Sequence, residues 1–372
     1  MCPTTALVLF DPDRCRSYQV GLGDDQMYLD LTGSIPTFEY ACEDHRGRVQ
    51  LAKANYNGLS QSLKKNFGLI ASMEQCNDFL FLATKQISIG DDFWFEDPIG
   101  DPMGKYWLQG VHMIHCSYNS IWQGQFLQPD WDMFQSDHLC AEFHAGSRAI
   151  CGGPVYVSDK VGHHNFDLLR KLVLPDGTIL RCQHYPLPTR DCVFENPLFD
   201  GKTTLKIWNL NKFAGVVGAF NCQGAGWYPE EHKCKAYPQC YKPMSGWVSP
   251  DDVEWEQKAP TAEFRGAEQF GIFTFSLIHK LNERTKFAPI GLENMFNSGG
   301  AIESLKYESN GGVACVRIKI KGAGKLLAYS IEKPKEIILN GKEDKFEWTD
   351  IGSLKFEVPW IGGELSDVLI TY

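Results

Sequence analysis

One pattern constrains this chain more than any other. From about residue 37 onward, short apolar runs alternate with helical stretches, and the apolar runs end in polar or acidic residues. Residues 47–67 have a helical period, with Val49, Leu51, Ala52, Leu59 and Leu63 supplying the apolar stripe and Lys64-Lys65 closing it. Residues 68–73 are a short apolar run suited to a buried parallel strand, and they lead into Glu74-Gln75-Cys76-Asn77-Asp78. A strand over 86–89 ends in Gly90-Asp91-Asp92-Phe93-Trp94 and precedes a helix over 107–122. A strand starting at Leu127 ends in Pro129-Asp130-Trp131-Asp132, and a helix over 140–150 stops at Gly152-Gly153-Pro154. A strand over 155–157 ends in Ser158-Asp159, and a helix over 166–174 runs to the Pro175-Asp176-Gly177 turn.

This order is the βα alternation of a parallel sheet. In a (β/α)8 barrel the C-terminal strand ends share one face, where the active site forms. A single Asp at a strand end ordinarily caps the following helix. Three such ends in register, carrying Asp91-Asp92, Asp130 with Asp132, and Asp159, with Trp94 and Trp131 beside two of them, point to a site instead. A complete barrel takes about 250 residues. Here the βα texture spans only about residues 30–200, room for roughly five units. The expected fold is therefore α/β plus β: the C-terminal part of an incomplete (β/α)8 barrel, followed by an antiparallel β domain. The expected division is a divergent N-terminal segment over 1–30, the partial barrel over 31–200 and the β domain over 201–372.

Past residue 200 the texture changes to strands. Leu205-Lys206-Ile207-Trp208 and Val216-Val217-Gly218-Ala219-Phe220 read as a pair, and residues 316–321 alternate with period two. Asn340-Gly341 between Ile337-Ile338-Leu339 and Phe346-Glu347-Trp348 predicts a hairpin joining those two runs. Residues 223–260, rich in Pro, Gly and Cys, read as an irregular excursion.

Charge and cysteine usage narrow the function. With 36 basic and 46 acidic residues the net charge is −10, against the basic face a nucleic-acid reader needs. No run approaches the ~20 apolar residues of a membrane span, so no membrane partner is expected. Thirteen cysteines, an odd number with no Cys-x-x-Cys spacing, read as reduced thiols of a cytoplasmic protein. His112, His115 and Cys116 on one helix, and the adjacent His163-His164, lack the spacing of a zinc site, so no metal is expected. Gly322-Ala323-Gly324-Lys325 lacks the Ser or Thr of a phosphate loop and reads as a turn, and no G-x-S-x-G elbow is present. Paired carboxylates remain. Glycosyl transfer uses two of them, one at the anomeric carbon and one at the leaving oxygen, with aromatic rings against the sugar face. No cofactor is expected.

The stretch Gln128-Pro129-Asp130-Trp131-Asp132-Met133-Phe134-Gln135-Ser136-Asp137-His138 resembles the plant raffinose synthase and stachyose synthase family. Phe143-His144-Ala145-Gly146-Ser147-Arg148-Ala149-Ile150, Gly152-Gly153-Pro154-Val155-Tyr156-Val157-Ser158-Asp159, Leu205-Lys206-Ile207-Trp208-Asn209-Leu210-Asn211-Lys212 and Gly218-Ala219-Phe220-Asn221-Cys222-Gln223-Gly224 do as well. The likeness covers roughly residues 37–258 and 286–372. Cys151-Gly152-Gly153-Pro154 and residues 287–300 look like the stachyose synthase branch, and residues 172–185 like raffinose synthases.

This resemblance implies a retaining galactosyltransferase related to α-galactosidases, which passes galactose from galactinol to sucrose or raffinose. One aspartate attacks the anomeric carbon and a second serves as acid, then base. It places Asp91 at the acid/base position within Ile89-Gly90-Asp91-Asp92-Phe93-Trp94, a shortened form of the family's motif. The family's nucleophile lies in a Lys-Val-Asp strand a few residues before Thr37-Phe38-Glu39-Tyr40. Counting back puts Gly33 there, with Asp30 three residues earlier. Further substrate contacts fall on Cys76, Asn77, Asp78, Asp92, Trp94, Asp130, Trp131, Asp132, Arg148 and Asp159. The resemblance also predicts a chain shortened relative to its family. Two other outcomes stay open at this point: a galactoside-binding relative without turnover, which Gly33 favours, and an α-galactosidase that uses water as acceptor.

Overall fold

The computed structural model describes residues 7–8, 86–88, 93–96, 104–200, 203–222, 225–228, 233–236, 247–249, 252–256, 270–310 and 313–372. The helix expected over 47–67 and the strand expected over 68–73 lie outside these residues. So do Asp30, Gly33, Cys76, Asn77, Asp78, Asp91 and Asp92. Across the described residues the chain is mostly β, with several antiparallel sheets and few helices.

The parallel element begins with β2 (Gln86–Ser88) and β3 (Gln128–Asp130), joined by helix α1 (Gly104–Gln123). Gln86 lies opposite Gln128 and Ser88 opposite Asp130. Helix α2 (Ala141–Ile150) then leads to β4 (Tyr156–Val157), and a parallel bridge joins Phe134, just beyond β3, to Val157. Strand β1 (Leu7–Val8) pairs antiparallel with β4, Leu7 opposite Val157.

The helices show why these segments are held. In α1 the buried residues Gln109, His112, Met113, Cys116, Ser117 and Ser120 recur at three- and four-residue spacing, a single stripe on one face. Four of these six residues are polar, an unusual choice for a core. In α2 every residue but Glu142 is buried, because a sheet covers the face turned away from the parallel strands. Helix α3 (Phe166–Leu169) is shorter than the expected 166–174. Asn165 caps its start, its side chain accepting from Leu168 N at 3.1 Å. Pro175 cannot continue a helix and disfavours helical backbone before it. The chain turns instead, with Val173 bridging Ile179 and Leu174 N bonded to Thr178 O at 2.8 Å.

The covering sheet is antiparallel, built from β5 (Leu187–Pro188), β6 (Leu205–Leu210) and β7 (Ala214–Phe220). The expected irregular excursion that follows contains two hairpins, β8 (Ala225–Tyr228) with β9 (Lys233–Ala236) and β10 (Trp247–Ser249) with β11 (Asp252–Glu256). The chain returns as β12 (Phe270–Ser276), which pairs with β7 to give the order β12-β7-β6-β5. Leu205, Ile207, Val216 and Phe220 of this sheet share one core with Phe143 and Ile150 of α2. The approach is close. A Cβ on Gly146 would come within 2.4 Å of the Phe270 ring, and one on Gly218 within 2.6 Å of Ile150 Cδ1.

A second core is formed between two five-stranded antiparallel sheets. One takes the order β13 (His279–Lys280), β14 (Lys286–Leu292), β17 (Gly324–Ser330), β21 (Ser353–Val358), β20 (Phe346–Trp348). The other takes the order β15 (Ile302–Asn310), β16 (Val313–Ile320), β22 (Ser366–Thr371), β18 (Glu336–Leu339), β19 (Lys342–Glu343). Alternate residues of each strand point inward: Val316, Ile318 and Ile320 from β16 meet Leu326, Leu354, Phe356 and Val368 in one cluster. The glycines flanking Ala323 take positive φ, +106° at Gly322 and +127° at Gly324, in the turn from β16 to β17.

The Asn340-Gly341 turn is present, with φ of +51° and +80°, but its partner differs from the expected one. Leu339 pairs with Lys342 across the turn, while Phe346–Trp348 joins β21 in the other sheet. Two central residues at positive φ make a tight turn that pairs the residues flanking it directly. Ile337 and Phe346 therefore approach the core from opposite sheets.

Candidate functional site

The described acidic residues at the tips of β3 and β4 are Asp130, Asp132 and Asp159. Beyond β3 the chain runs through Trp131, which is buried, to Asp132, which sits at φ +63°. A non-glycine residue in that region is held there by its surroundings and marks a strained, often functional position. Asp132 Oδ2 accepts the Phe93 N–H at 2.8 Å, and Oδ1 lies 3.5 Å from the Tyr156 hydroxyl. One carboxylate thus ties the segment beyond β2 to the tip of β3 and reaches the residue that opens β4. Removal from water pushes its acid pKa up. The Phe93 and Met133 amides, the Arg148 charge and the Tyr156 hydroxyl oppose that rise.

The three tip carboxylates differ in what they leave open. Asp130 is fully buried and accepts the Tyr156 hydroxyl at 2.7 Å. Asp159 is also buried, and its oxygens accept Ser136 N at 2.6 Å and Ser136 Oγ at 2.5 Å, with His164 Nδ1 at 2.9 Å. Ser136 Oγ in turn accepts Asn165 N at 2.8 Å, so Asp159 braces the start of α3. Asp132 is only partly buried, and Trp94, next in sequence to the Phe93 whose N–H Asp132 accepts, is exposed. Of these residues, Asp132 and Trp94 are the ones that reach solvent. Trp131 turns inward, and its Nε1–H meets no acceptor among the described residues.

Arg148, on α2, is buried behind the tips, and each of its nitrogens is engaged by the chain. Nε donates to Asp132 O at 3.3 Å, and Nη2 to Trp131 O at 2.5 Å and Met133 O at 3.2 Å. Nη1 donates to His144 Nδ1 at 2.8 Å and Ser147 Oγ at 3.2 Å. His112 Nε2 lies 2.8 Å from Nη2. The guanidinium therefore shapes the backbone that presents Asp132. Burial, with the Arg148 charge and His112 and His138 nearby, drives the His144 pKa well below its ordinary value and keeps that ring neutral.

Sequence reasoning found the acidic tips but not Gln109, His112, His144, Ser136, Tyr156 or His164, which hold them. The available signal was the spacing of His144 and Arg148, four residues apart on one helix face. Among the described residues no cluster of three His, Cys, Asp or Glu side chains is arranged to hold a metal. Two open clefts lie away from the tips, one lined by Gln125, Gln128, Gln183 and Tyr185, the other by Leu210, Phe275, Leu277 and Pro289.

Comparison with known proteins places the chain in a family. The family described as "Raffinose synthase or seed imbibition protein Sip1" matches residues 12–268 and 266–358. A stachyose synthase of Pisum sativum is 54% identical over 96% of this chain and 45% of its own length. A probable galactinol–sucrose galactosyltransferase of Arabidopsis thaliana is 49% identical over 97% of this chain and 45% of its own. A galactinol–sucrose galactosyltransferase of Oryza sativa subsp. japonica is 46% identical over 95% of this chain and 50% of its own. The chain spans about half the length of these relatives. Matched over both its helical and its β parts, it belongs to the raffinose synthase and seed imbibition protein family.

Proposed function

We propose that this chain handles the galactosyl group of galactinol and passes it to raffinose or sucrose by a retaining double displacement. The observation that carries the reading is the tie from Phe93 N–H to Asp132 Oδ2. It joins the segment that directly follows Asp91-Asp92 to a partly buried carboxylate on the next strand tip. In this reading Asp91 protonates the leaving oxygen and then takes the proton of the acceptor hydroxyl. Asp132 and Trp94 meet the sugar, Asp132 through its hydroxyls and Trp94 through its apolar face. Asp92 and the Cys76-Asn77-Asp78 end complete the donor contacts, and Asp130, Trp131, Arg148 and Asp159 hold the tips in shape.

The nucleophile is the demanding part. Gly33 stands at the position where the family carries its attacking aspartate, and Asp30 is the nearest carboxylate before it in sequence. The proposal includes the last strands of a (β/α)8 barrel as scaffold. The parallel pairing of β2 with β3 and the parallel bridge to β4 support that geometry. It also includes a cytosolic setting, from the cysteine pattern of the sequence.

The test is to incubate the full chain with galactinol and either raffinose or sucrose and to separate the products. New tetrasaccharide or trisaccharide supports transfer. Free galactose without transfer assigns water as acceptor. Galactinol binding without any product assigns a binding role, in line with Gly33.

A further inference from the structure

Behind the tip carboxylates runs an unbroken line of buried polar groups that touches the segments following both β2 and β3. Gln109 Nε2 donates to the Trp94 carbonyl oxygen at 2.9 Å. Gln109 Oε1 meets His144 Nε2 at 2.6 Å, and His144 Nδ1 meets Arg148 Nη1 at 2.8 Å. Arg148 Nη2 ends the line on Trp131 O and Met133 O. Each step fixes the next. Arg148 has only donors, so His144 Nδ1 accepts and its proton sits on Nε2. Gln109 Oε1 takes that proton's hydrogen bond, which turns the amide NH2 toward Trp94. Gln109, His144 and Arg148 are each no more than 1% exposed. Elsewhere, the exposed Trp208, Leu210, Phe273 and Phe275 of the β12-β7-β6-β5 sheet form an apolar face, but nothing shows what covers it.

We propose that Gln109 and His144 are positioning residues. Through Arg148 they fix the Phe93-Trp94 segment against the Trp131–Met133 tip, and so keep that segment in register with Asp132. The purpose of that register rests on the galactosyl reading; the relay itself does not. Ordinary core packing would make Gln109 a filler, replaceable by any side chain of its volume. A relay makes it two-ended, with a donor needed at one end and an acceptor at the other.

Hydrogen–deuterium exchange on the full chain separates the two, read in peptides spanning residues 93–96, 131–134 and 314–320. Gln109→Glu keeps an acceptor for His144 but has no N–H for Trp94. It is expected to speed exchange over 93–96 about tenfold or more, the factor carried by one buried hydrogen bond, and to leave the other two peptides unchanged. Gln109→Leu cuts both ends and is expected to loosen 93–96 and 131–134 while sparing 314–320. Unchanged exchange over 93–96 in the Glu variant overturns the proposal. So does equal acceleration in all three peptides, or global unfolding of that variant, since the residue then serves the fold and not the tips. A galactinol titration of the unmodified chain run alongside tells the two readings apart: no binding with the exchange pattern intact sinks the galactosyl reading and leaves the relay standing.

Discussion

The two cores of this molecule are built on opposite principles. The C-terminal sandwich buries Val316, Ile318, Ile320, Leu326, Leu354, Phe356, Val368 and Ile370 against one another, an apolar interior between two sheets. The core behind the strand tips buries Gln109, His112, Asp130, His144, Arg148 and Asp159 among its apolar residues. An apolar core gains by excluding water and tolerates exchange among side chains of similar volume. A buried polar network gains little net stability but penalises every missing partner, so it accepts one arrangement and few others. The lesson is a division of labour: the sandwich supplies stability, and the tip region spends some of it on holding carboxylates in place.

That contrast can be broken or sharpened by substitution. The largest effect is expected from Arg148→Met. It leaves the Trp131 and Met133 carbonyls and His144 Nδ1 without their donor, at a cost of about 3–5 kcal/mol in a urea melt. An effect below 1 kcal/mol would mean that the network carries no penalty and the two cores are alike.

Tyr156→Phe comes next. It strips the hydroxyl from buried Asp130 and from Asp132 and is expected to cost about 1–3 kcal/mol, with the loss localised by exchange to the strand tips.

Acid sharpens the comparison further. His144 is held neutral in the fold, with its pKa depressed below the unfolded value. As pH falls below about 6.5 the unfolded chain takes up a proton there that the folded chain refuses, so stability is lost by up to about 1.4 kcal/mol per pH unit. Asp132 acts with the opposite sign, because its folded pKa is raised. Its contribution is present below the unfolded value of about 3.9 and fades as pH rises through the folded value. His144→Gln should flatten the slope between pH 6.5 and 5, measured as the urea midpoint at each pH. An unchanged slope would place the titrating group elsewhere.

The smallest effect belongs to the sandwich. Ile318→Val removes one buried methylene and is expected to cost about 0.5–1.5 kcal/mol while leaving exchange at the tips untouched.

The same contrast explains what the sequence revealed. Strict alternation along β16 and the Asn340-Gly341 dipeptide made strands and a tight turn legible, because period and turn chemistry are local properties. The partner across that turn differs from the one the pattern suggests. Phe346-Glu347-Trp348 is apolar enough to look like the second arm, yet the turn geometry pairs Leu339 with Lys342. The helix after Asn165 ends at Leu169, short of the apolar run that continues to Leu174, because Pro175 disfavours helical backbone before it and the chain turns. At the tips, Asp130, Asp132 and Asp159 were visible as acidic strand ends. Their exposure was not, since it depends on Tyr156, Ser136 and His164, whose partners come from other elements. Gln109 and His144, 35 residues apart, meet only once α1 and α2 have packed.

The most direct measurement is calorimetric titration of the full chain with galactinol, beside the same titration of Asp132→Ala. A sugar contact at the β3 tip predicts saturable binding that weakens about tenfold or more in the variant, as expected when a charged hydrogen-bond partner is removed. Equal affinity in both proteins would contradict the account, because galactinol would then be held somewhere other than these strand ends.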